Sequence, residues 1–324
     1  MRTYPRPKLF ISACIEFDAC RYDGELIRDK NVARLLEFID VIRVCPELSI
    51  GMGAPRDAVR LVKRKGEELK LLSTNKGDDY TDKMIDFTER YVNNLKKKNV
   101  DGFIMKAKSP TCGINNVKVY ADIGKSHVLS GKNAGMFGSK IKEVFSDVPV
   151  ETDMRLSNYS IRDRFYAEIF TLTDFRLIKE NPTMKALVKF HSNNKYLFMT
   201  YNQNTLRVMG NIVANHNKLP VEEVYQNYEK ELRLLLSKQP SQKKRINVLT
   251  HIYGYFKKDV EPAEKEYYFE VMDQYLNNQV PYSNVLTVLK GWAIRFKEKY
   301  LIDQTIFAPY PKELIQTTDS GKKV

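Results

Sequence analysis

"KLFISACIEFDACRYDG", residues 8–24, decides how the first half of the chain is read. Residues 8–13, KLFISA, form a short apolar run with no helical spacing and read as a buried strand. Cys14 follows at once and Cys20 comes six residues later, with Asp23-Gly24 closing the stretch as a turn. Two of the chain's four cysteines therefore share one loop after a strand, where they could bridge, anchor a lipid, hold a metal or only pack.

Outward from that strand, the pattern alternates between periods. "NVARLLEFID" (31–40) reads as a helix through Val32, Leu35, Leu36 and Ile39, ending near Phe38, because "DVIRV" (40–44) is a second strand. "DAVRLVKRKG" (57–66) reads as a helix after Pro55 that stops near Gly66. Residues 78–99 form the longest helix of this half, with Thr81 or Asp82 as its cap and lysines at its C-terminal end. "VDGFIMKA" (100–107) is a third strand and "KVYAD" (118–122) a short fourth. "GMFGSKIKEVF" (135–145) is a Gly-rich turn into a helix, and "VPVE" (148–151) is a last strand. Strands alternating with helices predict a Rossmann-like α/β domain over 1–154, a mostly parallel sheet with helices on both faces.

Beyond about residue 155 the strands stop. One long helix covers 157–181, capped at Ser157 or Ser160, and Pro182 precedes the next, 183–202. Further helices are read over 203–216, 220–237, 241–258, 262–278 and 282–299. This half holds 14 of the 19 tyrosines, a different packing style, so 155–324 is read as a separate all-α domain. The tail "TTDSGKKV" (317–324) is read as frayed.

The bulk properties agree with two folded domains. A chain of 324 residues builds cores without staples, and 43% apolar with 29% charged residues is ordinary for a soluble fold. No apolar run is long enough to span a membrane. The net charge of +13 is spread, with 27 Lys and Arg against 20 Asp and Glu in 1–150, and 26 against 20 in 151–324. Such a diffuse field attracts anionic partners, nucleic acid included, and is equally explained by solubility alone. "FISAC" looks like a lipoprotein cleavage box, but the apolar stretch before Cys14 falls short of the roughly 7–15 residues of an export signal. The chain is therefore read as cytoplasmic, where a disulfide is disfavoured.

The cysteines then acquire a pattern. Cys14 follows the first strand, Cys45 the second, and Cys112 lies in "KAKSPTCG" after the third. Ligands of open α/β sheets bind outside the carboxyl ends of the strands, so three distant thiols are expected at one edge, with Cys20 within reach. Zinc usually takes C-x-x-C pairs, which are absent. Three separate thiolates with Cys20 as a candidate fourth fit an iron–sulfur cluster at least as well; a reactive thiol pair and unliganded structural cysteines stay open.

"SACIEFDACRYDG", "VCPELSIGMGAPR" and "KAKSPTCGINNVKVY" together resemble the family of thiouracil desulfidases. "VPVETDMRLSNYSIRDRF" resembles the junction of longer members, in which the sheet domain is fused to a helical YbgA-like domain of unknown function. "LVKFHSNNKYLFMTYN", "NVLTHIYGYFKK", "EKEYYFEVMDQY" and "YLIDQTIFAPYPKEL" are similar to that domain. The resemblance covers nearly the whole chain. It implies a [4Fe–4S] cluster held by Cys14, Cys45 and Cys112, with the fourth iron free to bind the substrate's sulfur. Fused relatives can lack a cysteine at the position of Cys20, which implies a secondary role for it. Glu47 in "CPE" and Ser109 in "SPTC" are implied as catalytic residues.

A thiophilic iron with an open position acts as a Lewis acid on a C=S group, water supplies the replacing oxygen, and the exchange is non-redox. Glu47 suits the proton transfers; its structural alternative is to cap a helix or pair with Arg56. Ser109 either orients the substrate or forms the turn before Pro110. Arg21 and Arg56 are candidate substrate-binding residues, Arg56 through the "GMGAPR" loop (51–56) leading into a helix. "SGKNAGMFG" (130–138) lacks the ending of a phosphate-binding loop and reads as a turn. In the helical half, His191, Lys195 and His251 could bind an anion and "YGYF" (253–256) could stack on bases, but the histidines read first as core or interface residues and the aromatic stripe as core.

Two functions of different class follow. The first is desulfuration of a small thiolated base or nucleotide, with RNA as a larger candidate substrate and a homodimer admitted. The second is an accessory or sensor protein with a structural cluster or metal that binds nucleic acid through its basic surface. A thiol enzyme without a cluster is a third.

Overall fold

The computed structural model describes residues 2–316, so the tail 317–324 lies outside the described residues. The chain divides into two compact units, one of residues up to Thr173 together with the segment from Tyr310, the other Asp174–Pro309. The division falls inside the long helix that follows the last strand.

The first unit is built on a four-stranded parallel sheet. Its strands are β1 (Lys8–Ser12), β2 (Asp40–Val44), β5 (Gly102–Met105) and β8 (Val150–Thr152), in the order β2-β1-β5-β8. Register pairs Phe10 with Ile42 and with Phe103, and Phe103 with Val150. The period-2 pleat then sorts the side chains between two cores. Leu9, Ile11 and Ile104 pack against Val32 and Leu35 of α1 (Lys30–Leu35) and against Phe165, Ile169 and Phe170 of α5 (Tyr159–Glu180). Phe10, Phe103 and Met105 pack against Val92 and Leu95 of α3 (Thr81–Leu95) and Phe137 and Ile141 of α4 (Met136–Val144). Both faces are covered, as a buried parallel sheet requires. Gly102 permits the close approach of α5, since a Cβ there would stand 2.8 Å from Ile169 Cγ2.

Several expectations are corrected. The stretch 57–66 is not a helix but carries β3 (Val59–Val62). Its short VRLV run satisfies strand and helix alike, and pairing decides: Leu61 lies opposite Leu71 and Val119 in a second sheet. Asp57 caps no helix; its carboxylate accepts the backbone N–H groups of Asn75 and Lys76. The "GMGAPR" loop accordingly leads into a strand. The second sheet has the order β4-β3-β6-β7, with β4 (Lys70–Ser73), β6 (Val117–Tyr120) and β7 (Val128–Asn133). The predicted fourth strand belongs here and not to the parallel sheet, and the first part of "SGKNAGMFG" is β7 rather than a turn. The cap of α5 is Asn158, which accepts the Ile161 N–H at 3.1 Å, in place of Ser157 or Ser160. Tyr80, not Thr81 or Asp82, is the N-cap of α3.

Within α5, Glu168 is buried beside Arg164, and burial pushes its carboxyl up from 4.5 to about 8, with Arg164 opposing and Glu151 adding to the rise. The folded state then keeps a proton that the unfolded chain releases between those two values. Stability must fall as pH rises through that window and level off above it. Glu168→Gln removes the penalty, so its stability relative to the parent should improve between about pH 5 and pH 8 in denaturant titrations; a pH-independent difference rejects this reading.

The second unit is helical. It contains α6 (Met184–Tyr201), α7 (Gln203–Ala214), α8 (Val221–Leu236), α9 (Gln242–Tyr253), α10 (Pro262–Leu276), α11 (Tyr282–Arg295) and α12 (Lys299–Ile302). Their starts follow local chemistry: Thr183, Asn202 and Ser241 side chains accept first-turn N–H groups, and Pro262 opens α10 within a Glu261/Glu264 capping box. The tyrosines form its core, with Tyr225 and Tyr228 against Phe175, and Tyr268 against Tyr253 and Trp292. No described helix is long and apolar enough to cross a membrane.

Candidate active site

Three carboxyl ends of the parallel sheet meet at one cavity of about 250 Å³, lined by Cys14, Cys20, Cys45 and Cys112 together with Arg21, Glu47, Arg56 and Ser109. Every candidate ligand, catalytic and substrate-binding residue of the first half lines this one cavity. Cys14 follows β1, and its carbonyl accepts the Ile27 N–H at 2.7 Å, which folds the 15–27 loop back over the strand end. Asp23-Gly24 makes the expected turn: Gly24 has φ +77° and donates to the Arg21 carbonyl. Cys45 follows β2 and precedes the one-turn helix α2 (Pro46–Ser49). Its thiol lies 3.8 Å from the Cys20 carbonyl.

Cys112 is buried in the loop after β5. The Ser109 hydroxyl accepts the N–H of Thr111 at 3.2 Å and of Cys112 at 3.0 Å, so the turn-forming role of this serine is realised, and its own proton is still available to donate. Helix α4 holds the loop from behind: Gly138 donates to the Thr111 carbonyl at 2.9 Å, and a Cβ on Gly138 would stand 2.3 Å from the Gly113 carbonyl oxygen. The start of the helix adds two more ties, Gly135 N–H to the Gly113 carbonyl at 2.7 Å and Met136 N–H to the Pro110 carbonyl at 3.1 Å.

Glu47 is paired. Arg56 Nη2 donates to its Oε2, and the Thr111 hydroxyl donates to its Oε1. Arg56 also holds the Cys20 carbonyl at 3.0 Å and the Gly53 carbonyl at 2.7 Å, while its Nε is buried without a partner among the described residues. The Glu47 and Arg56 side chains are only 13% and 6% exposed, so this is a buried pair and not a screened surface contact. Arg56→Met leaves a buried carboxylate without its cation and should cost about 3–5 kcal/mol. A thermal midpoint lowered by under about 2 °C would assign the pair to the weak surface class.

Arg21 lines the cavity but is already paired with Asp23 at 2.9 Å and lies near Glu25 and the Tyr22 ring. Four residues were missed by sequence reasoning: Ser12, Lys106, Thr111 and Asp153. Lys106, on the cavity wall, donates to Asp153 at 2.7 Å, and its backbone N–H donates to the Ser12 hydroxyl at 3.0 Å. Ser12 and Lys106 stand at strand ends on the same edge as the cysteines, which was the available signal. In the helical unit, His191 bonds the Tyr228 hydroxyl at 3.1 Å, and burial pushes its imidazole down to about 4, the behaviour of a satisfied core histidine. Lys195 and His251 are exposed, and Tyr253 and Phe256 of "YGYF" both contact Trp292.

The donor set fits the cluster that the resemblance implies. All four thiols are free of disulfides. Contact with the Cys14 thiol pushes Cys20 up to about 12; Cys20 raises Cys45, and burial raises Cys112. Raised thiols such as Cys20, Cys45 and Cys112 ionise more readily beside a strong local positive charge, of the kind that iron would supply. Among the described residues no three His, Cys, Asp or Glu side chains are placed around a single metal ion.

Two family models match separate stretches of the chain. Residues 9–153 match the model of the 2-thiouracil desulfurase family, and residues 195–311 match a family described as a protein of unknown function, DUF1722. The first stretch is thus similar to 2-thiouracil desulfurases and the second to DUF1722 proteins. Among curated relatives, the uncharacterized protein YbgA of Escherichia coli is 27% identical over 161 residues, 49% of this chain and 95% of that protein. The uncharacterized protein YbbK of Bacillus subtilis is 24% identical over 143 residues, 43% of this chain and 95% of that protein. Among solved structures, a [4Fe-4S]-dependent thiouracil desulfidase, TudS, is 21% identical with a TM-score of 0.36, covering 47% of this chain and 93% of that one.

Proposed function

We propose that the sheet unit is a desulfidase that converts the C=S group of a thiolated nucleobase, or a related thione, to C=O. The observation that carries this reading is the convergence of Cys14, Cys45 and Cys112, from the ends of three separate strands, on one cavity wall that also presents Glu47 and Ser109. The desulfurase family match over 9–153 supports it. Cys14, Cys45 and Cys112 would hold a [4Fe–4S] cluster, with Cys20 beside them in a secondary role. Bound there, the cluster would supply a thiophilic Lewis acid for the substrate sulfur.

The chain's own groups do the rest. Thione and water give carbonyl and hydrogen sulfide, so atoms balance and no reductant is required. The Glu47 carboxylate accepts the proton of the attacking water, using lone pairs beyond those given to Thr111 and Arg56. The Ser109 hydroxyl, its oxygen fixed by two backbone N–H groups, donates to a polar group of the substrate ring. Arg56 places a buried positive charge on the wall, and Lys106 a second, anchored by Asp153.

Anaerobic purification followed by iron and sulfide counting and incubation with 2-thiouracil tests this reading. A brown protein that releases sulfide and forms uracil is the expected result. A colourless protein rejects the cluster. A brown protein that releases no sulfide, yet retains RNA in a salt-dependent manner, transfers the reading to a nucleic-acid-binding accessory role.

A further inference from the structure

We infer that Thr111, a residue with no assigned role, is the positioning residue of Glu47. The inference rests on the desulfidase reading and adds to it a group that acts only through the carboxylate.

Thr111 is fully buried between Pro110 and Cys112. Its backbone is tied at both ends, the N–H to the Ser109 hydroxyl and the carbonyl to the Gly138 N–H. The hydroxyl on this fixed backbone gives its single proton to Glu47 Oε1, 64 residues away in sequence. Arg56 takes Oε2. The carboxylate is thus clamped from two sides, and only its remaining lone pairs can accept a proton from water. Glu47 stands two residues after Cys45 and Thr111 one residue before Cys112, so this one bond sets the carboxylate's orientation relative to both thiol-bearing loops.

A purely structural tie between those loops would use the same bond, so the test must separate the two roles. In Thr111→Val the donor is lost and shape is kept; in Thr111→Ser the donor stays and a methyl is lost. Both are to be purified anaerobically as holo-protein and compared for iron content, kcat and KM with 2-thiouracil. The expected result is full iron in both variants. kcat should fall about 10–100-fold in Thr111→Val, with KM within about threefold of the parent, and Thr111→Ser should stay close to the parent. A crystal structure of Thr111→Val should show the Glu47 carboxylate rotated, with the three cysteine sulfurs unmoved.

Unchanged kcat in Thr111→Val overturns the inference, as does a kcat that falls only in proportion to lost iron. If the parent itself releases no sulfide, the desulfidase reading fails separately. The carboxylate's position in the Thr111→Val structure still decides whether Thr111 orients it.

Discussion

Cys45→Ser is expected to yield a protein without visible absorbance, with iron at background and no sulfide release from 2-thiouracil, while Cys20→Ser keeps all three. The contrast follows from where the two residues sit. Cys45 is carried by the end of β2 and fixed by the turn of α2, with the Ser49 hydroxyl on its carbonyl. Cys45 is the thiol that β2 brings to the cavity, so its loss would remove one of the three proposed attachment points. Serine oxygen is a poor substitute, since iron in such clusters is held by thiolate. Cys20 hangs from the loop after Cys14 and adds a fourth thiol to a wall that already holds three. Iron and sulfide counting on the two variants decides the matter. A Cys20→Ser protein that loses its iron while Cys45→Ser remains brown would exchange their roles and break the three-strand assignment.

How far such a site can be read from sequence depends on what each residue answers to. Cys14, Cys45 and Cys112 line one cavity because each follows a strand whose own composition is decisive, and the carboxyl edge of a parallel sheet gathers its loops by topology. The helices of the second unit were legible for the same local reason, with Thr183, Asn202 and Ser241 as caps. The second sheet was not. Its strand β7 runs VLSGKN with a mostly exposed surface, and β3 is four residues long, so neither carries a period strong enough to read. Their pairing partners supply what the local pattern lacks. Asp57 looked like a helix start and instead holds the 75–76 turn. The same limit hid Thr111, Lys106 and Asp153. Their meaning lies in bonds that span 64 and 47 residues, and no local property of a threonine before a cysteine announces its acceptor.

Glu47→Gln is the substitution that separates the catalytic reading of this carboxylate from the structural one. The amide is nearly isosteric, and its oxygen can still accept the Thr111 proton, so the two cysteine loops stay joined. Its NH₂ then faces Arg56 Nη2, donor against donor, and the pair's charge complement is gone. If Glu47 serves as the proton acceptor for water, turnover should fall by about 10²–10⁴-fold with iron content unchanged, because an amide cannot take that proton. If Glu47 only anchors Arg56, the variant loses stability but keeps kcat within about threefold, and the catalytic assignment is withdrawn. Combining Glu47→Gln with Thr111→Val sharpens the result. A group that acts through Glu47 has nothing left to orient once the carboxylate is gone, so the double variant should be no slower than Glu47→Gln alone. Effects that multiply instead would mean that Thr111 reaches the reaction by another route, and that the bond between them only holds the loops together.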